Sequence, residues 1–369
     1  MLPLRRPFLV ACIGGLALNL AMGSVLGVRT GVDTAVHILN ARFLLDHWAF
    51  DPNQALHPGY TVFLALCLKV FGTARAVVFL QLPFSILALA LLFAEWHDWA
   101  RPRALWIDLV ALATIALNPL VLFWNWYVLS ESIYVSLLAC LFASMLRWVR
   151  TGRVSSLYAG SLFTILAWLT RTNAIALLVA VTAAVSYWAV RHHRISRLTA
   201  AALLAASVVC VALAHQVFQS NYASQVRPGA LLARGVVIWG YDAGNLRMPA
   251  YQLHEGGWVD YFRFAGAHPV ATLKVWTSRI LIEAIRYRPY WSSRQNLVSV
   301  PMMVVAWILV GVAVARDPNW LVTFGLTLVA YHLAVVALAL SDWDGRLLGH
   351  VLPIVMAIAC FGLARLVDR

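Results

Sequence analysis

The sequence predicts an all-α polytopic membrane protein with about ten transmembrane helices and juxtamembrane helices in two long extracytoplasmic loops. Of its 369 residues, 62% are hydrophobic and 12% are charged, whereas a soluble domain carries about 25% charged residues. The mean hydropathy of +0.79 points the same way. One core cannot hide this much apolar surface, so lipid must cover much of it.

Apolar runs recur along the whole chain, and short loops separate most of them. They occupy residues 8–28, 75–95, 104–124, 128–146, 157–170, 173–190, 198–218, 298–315, 321–340 and 347–366. The first run follows a basic stub, which we interpret as an uncleaved signal anchor. The net charge of +13 comes largely from arginines in the loops. Retention of basic loops in the cytoplasm explains that charge, so we expect no nucleic-acid partner.

Three short basic loops determine the predicted orientation. They are HDWARPR (97–103), RWVRTGR (147–153) and RHHRISR (191–197). All three share the side of the basic amino terminus only if the apolar segment 59–71 does not cross the bilayer. Short loops rich in Lys and Arg stay in the cytoplasm. We therefore expect a multi-pass protein of the cell (inner or plasma) membrane, with both termini cytoplasmic.

The segment HPGYTVFLALCLKVFG (57–72) has the composition of a membrane helix but is too short to span. Its apolar part has 13 residues, interrupted by Lys69, and a spanning helix needs about 20. We predict a juxtamembrane helix within a first outer loop over 29–74. Pro58 suits the first turn of that helix. His57 precedes it, and it either holds a phosphate at the helix amino terminus or simply begins the helix.

An amphipathic helix is predicted just before this segment, over residues 33–47. Asp33, His37 and Asn40 recur at helical spacing and therefore share one face. Asp33 has two interpretations, because an aspartate at this place is either a helix cap or a functional carboxylate. His37 is either part of the same site or an ordinary polar-face residue.

Residues 118–135 join two spans on the outer side. Three neighbouring aromatic side chains predict an interfacial belt there: Trp124, Trp126 and Tyr127. Glu131 follows at the start of the next helix. A carboxylate at membrane depth is a functional candidate, and the alternative is a residue of the capping region with Ser130 as the cap.

The apolar stretch 157–190 is interrupted by TRTN (170–173). A single helix of this length would reach about 51 Å at 1.5 Å per residue, which exceeds the hydrocarbon core. Two short spans with Arg171 at the outer turn are predicted instead. Arg171 then either faces a cavity or extends its charge to the interface in an ordinary hairpin.

A second long outer loop is predicted over 219–297, and it is basic. Long loops escape the positive-inside rule, so its charge indicates either an anionic partner or contact with lipid headgroups. Residues 268–290 within it predict another interfacial amphipathic helix. We expect a transmembrane module over 1–218, this loop, and carboxyl-terminal helices over 298–369.

The segment SDWDGRLLGHVLPIV (341–355) predicts an outer turn that runs into the last span. It places Asp342, Asp344 and Arg346 beside the lipid. Arg346 either pairs with one of these aspartates or binds a phosphate.

Several motifs follow one another in the order of a known family: Asp33 in the first outer loop, then HPGYTVFLALCLKVFG, LSESIYVSLL, LAWLTRTNAIALL, HPVATLKVWTSRI and DGRLLGHVLPIV. The chain resembles GT-C superfamily membrane glycosyltransferases, in particular bacterial relatives of dolichyl-phosphate-mannose protein mannosyltransferases and lipid A aminoarabinose transferase. It departs from the family pattern in having Gly59 in place of a second proline, no acidic pair at Asp33, and Leu347 where an aromatic residue is common. These departures leave the subfamily and the sugar open.

The resemblance implies an inverting transfer of sugar from a polyprenyl-phosphate donor to an acceptor hydroxyl on the extracytoplasmic side. It implies Asp33 as the general base. Glu131 and His37 would position the acceptor or the base. The donor phosphate would be bound by His57, Arg171 and Arg346.

Two other classes remain open on the sequence alone. One is a polysaccharide polymerase or ligase that uses lipid-linked sugar, and the other is a non-enzymatic transporter of lipid or solute. The acceptor would be a lipid, a glycan or a protein, and membrane lipids surround the chain. No cofactor is predicted. A divalent metal has no sequence support, because no cluster of ligand residues stands out.

Overall fold

The computed structural model describes residues 6–51, 57–171, 174, 177–192, 196–222, 227–254, 256–338, 341 and 346–367. Within these ranges the chain is predominantly helical and forms no strands, which confirms the predicted all-α class. Two isolated β-bridges join extended segments, Arg29 with Tyr127 and Ile238 with Ser341.

The α-helices in the described ranges are numbered in chain order. They are α1 (Arg6–Leu26), α2 (Val32–His47), α3 (Pro58–Phe71), α4 (Ala76–Ala100), α5 (Leu105–Ala111), α6 (Pro119–Leu122), α7 (Glu131–Thr151), α8 (Val154–Thr170), α9 (Leu177–Arg191), α10 (Arg197–Tyr222), α11 (Pro228–Ala233), α12 (Trp258–Ala267), α13 (Pro269–Ile285), α14 (Ser293–Arg316), α15 (Trp320–Leu338), α16 (Arg346–Gly349) and α17 (Leu352–Val367).

Six helical segments are long and apolar enough to cross a membrane: α1, α4, the combined segment Leu105–Trp126, α7, α14 and α15. The other four predicted spans coincide with α8, α9, α10 and α17. Of these, α8, α9 and α17 contain 17, 15 and 16 residues. At 1.5 Å per residue they reach about 22–26 Å, which is less than the roughly 30 Å of a hydrocarbon core.

The chain divides into two compact units. Unit 1 comprises 1–211, 308–327 and 349–369, and unit 2 comprises 212–307 and 328–348. In unit 1, α7 is the most buried of the six candidate spans, with 83% of its apolar window buried. Helix α7 packs against both α4 and α8, and α1 also packs against α4.

The segment 29–74, which is predicted as the first outer loop, contains the two predicted helices. The segments predicted over 33–47 and 59–71 form α2 and α3, which pack against each other. Helix α3 buries Tyr60, Leu64 and Cys67 on one side, while its opposite side exposes apolar residues that include Val62, Leu66 and Val70. A helix with one buried and one exposed apolar side is what a juxtamembrane position requires.

We expect α3 to remain on the extracytoplasmic side, and cysteine labelling tests this. In a variant whose five native cysteines are replaced by alanine, Lys69→Cys should react with a membrane-impermeant maleimide added to intact cells. Arg153→Cys, in a predicted cytoplasmic loop, is the matched control and should react only after permeabilisation. A cysteine at 69 that is reachable only from the cytoplasm would contradict the predicted orientation.

Unit 2 has its own small core, in which α11, α12 and α13 meet around Leu232, Tyr261, Phe264 and Val275. The predicted helix over 268–290 is shorter than expected. It ends at Ile285, where Arg286 closes it in a left-handed conformation with φ of 53°. Proline at position 289 disfavours helix for the residue before it, so the helix does not continue.

Three arginines of the segment 219–297, which is predicted as the second outer loop, are buried and therefore do not offer their charge to an anion in solution: Arg279, Arg286 and Arg288. Arg279 donates to the backbone oxygens of Val236 and Ala337, at 2.7–2.9 Å. Burial lowers its pKa to about 10, so it remains a cation at neutral pH. These arginines therefore contribute to the packing of unit 2.

Glu283 connects α13 to both ends of the segment 341–348. Its Oε2 accepts hydrogen bonds from Arg288 and from the Ser341 hydroxyl, and its Oε1 accepts from the Leu348 N–H at 2.8 Å. Glu283 and Arg288 are both fully buried. The carboxylate therefore holds the backbone on either side of the candidate phosphate ligand Arg346.

Glu283→Gln should destabilise unit 2, because it neutralises the buried carboxylate that accepts from Arg288, Ser341 and Leu348, and removing one partner of a buried ion pair costs about 3–5 kcal/mol. Hydrogen exchange in α12 and α13 of the full-length protein should accelerate. Asp242→Asn removes an exposed acid of the same unit and should leave the exchange unchanged. Equal exchange in both variants would show that Glu283 does not hold this segment.

Candidate functional site

A buried polar cluster lies in unit 1, where α2 and α3 meet the beginning of α7 and the end of α8. It brings together four of the sequence-predicted site residues, His37, His57, Glu131 and Arg171. The structure adds His350 from the turn before α17. The cluster joins residues that are far apart in the sequence, so the tertiary packing creates it.

Arg171 is the centre of this cluster. Its Nη1 donates to Glu131 Oε1 at 2.8 Å and to His350 Nε2 at 3.4 Å. Glu131 is 2% exposed, so the ion pair is shielded from solvent. A guanidinium only donates, so His350 Nε2 is the acceptor in this contact.

Tyr134 supports the same group from α7, almost one turn after Glu131. Its ring meets the His350 ring edge-on, with centroids 4.9 Å apart. The Arg171 guanidinium carbon lies 5.8 Å from the Tyr134 ring centroid, within cation–π range. The ion pair, the imidazole and the aromatic ring thus restrain the Arg171 side chain together.

The end of α8 explains how Arg171 reaches this place. The helix ends at Thr170, and Arg171 takes an extended conformation with φ of −144°. This break confirms that 157–190 forms two helices. It also leaves the Thr170 carbonyl available, and His57 Nδ1 donates to that carbonyl at 3.1 Å.

His57 is held as a neutral ring. Desolvation, together with the nearby Arg171 and His37, lowers its pKa well below the usual value. With Nδ1–H directed at Thr170, its Nε2 carries a lone pair and accepts hydrogen bonds. A phosphate oxygen accepts hydrogen bonds, so His57 Nε2 would bind it only if the ring were protonated. Binding of the donor phosphate by His57 therefore stays a prediction.

Asp33 does not cap α2, so that interpretation is wrong. The cap is Gly31, whose N–H donates to Thr34 Oγ1 at 2.8 Å, and Asp33 lies inside the first turn. Thr34 Oγ1 also donates to the Val128 backbone oxygen at 3.0 Å, which ties α2 to the segment before α7. The Asp33 side chain is half-buried.

The face predicted by the spacing of Asp33, His37 and Asn40 does point inward, because His37 and Asn40 are 5% and 7% exposed. The His37 ring lies 5.1 Å from the His57 ring and 5.0 Å from the Tyr60 ring, both edge-on. His37 therefore connects α2 to the first turn of α3.

Gly59 allows α3 to approach α8 at this point. A Cβ at position 59 would lie 2.9 Å from the carbonyl carbon and oxygen of Leu169, which is closer than side-chain carbons pack against backbone. The proline found here in the resembled family would not fit this approach. The departure at Gly59 thus has a structural reason, since it brings His57 to Thr170.

Ser130 occupies the N-cap position of α7 and Glu131 begins its first turn, as the alternative interpretation predicted. The Ser130 side chain makes no capping hydrogen bond, however, and Glu131 pairs with Arg171. The predicted aromatic belt is also wrong in part, because Trp124 and Trp126 are only 4% and 7% exposed. A 3-10 turn over Phe123–Trp126 directs these rings into unit 1.

The remaining predicted residue, Arg346, begins α16 in unit 2, and its side chain lies outside what the structure describes. The same holds for Asp342 and Asp344. The pairing of Arg346 with either aspartate, and its phosphate role, therefore stay predictions.

Three residues of the cluster escaped the sequence analysis: Tyr60, Tyr134 and His350. Each lies within a motif that carried the family resemblance, HPGY, LSESIYV and DGRLLGH respectively. Their motif membership was a signal, but an isolated Tyr or His in an apolar run does not reveal which partner it meets.

The comparisons with known proteins give similarities among solved structures. No family model matches the chain. No curated protein matches it. Among solved structures, it is similar to the crystal structure of ArnT from Cupriavidus metallidurans in the apo state, with 13% sequence identity and a TM-score of 0.36, covering 96% of this chain and 78% of that one.

Proposed function

We propose that the protein is an inverting glycosyltransferase. It moves a sugar from a polyprenyl-phosphate donor to an acceptor hydroxyl on the extracytoplasmic side of the membrane. The observation that carries this proposal is the buried cluster around Arg171 and Glu131, which adjoins the inward face of α2 that contains Asp33. The ordered motifs that resemble GT-C glycosyltransferases contribute most of these residues.

Asp33 is proposed as the general base. The acceptor oxygen attacks the anomeric carbon, the bond from that carbon to the phosphate oxygen breaks, and the polyprenyl phosphate leaves. The acceptor proton passes to the Asp33 carboxylate, a step that typically contributes 10²–10⁴-fold. Attack from the side opposite the leaving group inverts the anomeric carbon.

Arg171 is proposed to bind the donor phosphate, and Glu131 and His37 to hold the groups around it. Arg171 already uses Nη1 for Glu131 and His350. Its Nε has no hydrogen-bond partner among the described residues, which leaves a donor for a substrate oxygen. Restraint of the guanidinium before the substrate arrives favours stabilisation of developing phosphate charge.

Reconstitution tests the proposal directly. The purified full-length protein, in liposomes, is supplied with undecaprenyl-phosphate hexoses labelled in the sugar and with an envelope extract as acceptor. Transfer to acceptor with release of undecaprenyl phosphate supports the glycosyltransferase. Growth of a glycan chain by repeated addition would indicate a polymerase, and movement of intact donor across the bilayer without bond cleavage would indicate a transporter.

A further inference from the structure

Tyr60 has a buried hydroxyl group that no described residue satisfies. The side chain is 1% exposed, and its Oη has no hydrogen-bond partner within the described ranges. Proteins rarely leave a buried hydroxyl in this state. Tyr60 lies in the first turn of α3, beside the cluster proposed as the active site, so a substrate atom is a candidate partner for the hydroxyl.

His57 supplies a complementary group almost one helical turn earlier. Its Nδ1 is engaged by the Thr170 carbonyl, which leaves the Nε2 lone pair as an acceptor. Both the His57 and the Tyr60 rings contact the same His37 ring, at 5.1 and 5.0 Å. His57 is only half-buried, so it is the member of the pair that a ligand can approach, whereas the Tyr60 hydroxyl is enclosed.

We propose that Tyr60 Oη and His57 Nε2 form a subsite that binds one hydroxyl group of the substrate. The hydroxyl accepts a hydrogen bond from Tyr60 and donates one to His57. A phosphate oxygen does not complement this pair, because it only accepts and would face the His57 lone pair. This subsite rests on the proposed function, and its hydroxyl comes either from the donor sugar or from the acceptor.

Tyr60→Phe removes the hydroxyl and keeps the ring that packs on His37. We expect the melting temperature of the ligand-free protein to stay equal or rise, since no protein hydrogen bond is lost. We expect kcat/KM for transfer to fall about tenfold, the loss of roughly one hydrogen bond. The matched control is Tyr158→Phe, because Tyr158 on α8 is 71% exposed, and it should change neither quantity.

Two binding measurements identify the source of the hydroxyl. If it belongs to the donor sugar, Tyr60→Phe weakens binding of an undecaprenyl-phosphate hexose about tenfold and leaves undecaprenyl phosphate unaffected. If it belongs to the acceptor, both ligands bind as before and only the acceptor dependence of transfer changes. Unchanged transfer in Tyr60→Phe overturns the subsite.

The ligand-free protein also tests the subsite without any transfer assay. A melting temperature that falls in Tyr60→Phe would mean that the hydroxyl has a permanent partner inside the protein, and this would overturn the subsite. Failure of the wild-type protein to transfer any sugar would instead count against the proposed function. The two failures are therefore distinguishable.

Discussion

Asp33→Asn should reduce sugar transfer by about 10²–10⁴-fold while the protein folds normally, because the amide keeps the shape of the carboxylate but accepts no proton. Asp33 is half-buried on α2, and the neighbouring Thr34 holds this turn through its hydrogen bond to Val128. We therefore expect little change in the packing of α2. The measurement is the single-turnover rate with saturating undecaprenyl-phosphate hexose. Donor binding should be retained.

Asp46→Asn is the matched control for this variant. Asp46 is on the same helix but exposed, so its neutralisation should leave the transfer rate unchanged. Transfer at the wild-type rate in Asp33→Asn would remove Asp33 as the base. Loss of both folding and transfer would instead show that Asp33 is needed for the fold of α2.

Breaking the Arg171–Glu131 pair should give the largest loss of stability in unit 1. Glu131→Gln leaves the guanidinium in a buried site without its counter-charge, and such losses cost about 3–5 kcal/mol. The Arg171 side chain is 11% exposed, so we expect a loss of stability near the lower end of this range. Thermal unfolding in detergent, followed by tryptophan fluorescence, measures the fall in melting temperature.

The double variant Glu131→Leu with Arg171→Met separates stability from function. It replaces both charges by apolar groups of similar volume, which is often neutral for stability, so it should recover most of the melting temperature but no transfer. Asp317→Asn, which breaks a half-exposed pair with Arg365, is the control and should have little effect. A double variant as unstable as Glu131→Gln would show that the uncompensated Arg171 charge is not the cause of the lost stability.

The class of the protein and several of its elements follow from patterns along the chain. Hydropathy predicts the membrane helices, Pro58 predicts the start of α3, and the polar interruption at 170–173 predicts the end of α8. These features depend on residues within one or two turns of each other. Local sequence therefore predicts them, and the structure bears them out.

The elements that were predicted wrongly depend on packing. Trp124 and Trp126 have the composition of an interfacial belt, yet a 3-10 turn buries them. Asp33 has the type and place of a helix cap, yet the helix begins at Gly31, whose N–H donates to Thr34, and the Thr34 hydroxyl donates to Val128. In each case a neighbour distant in sequence decides between two locally acceptable arrangements.

The sequence by itself determined a helical membrane protein and the residues from which a site could be built, because apolar length and residue type are properties of the chain. Only the tertiary structure decided which of them meet. Arg171 and His350 are 179 residues apart, and no local pattern encodes their contact. It arises because burial of a guanidinium is tolerated only where packing supplies hydrogen-bond acceptors, which for Arg171 are the Glu131 carboxylate and His350.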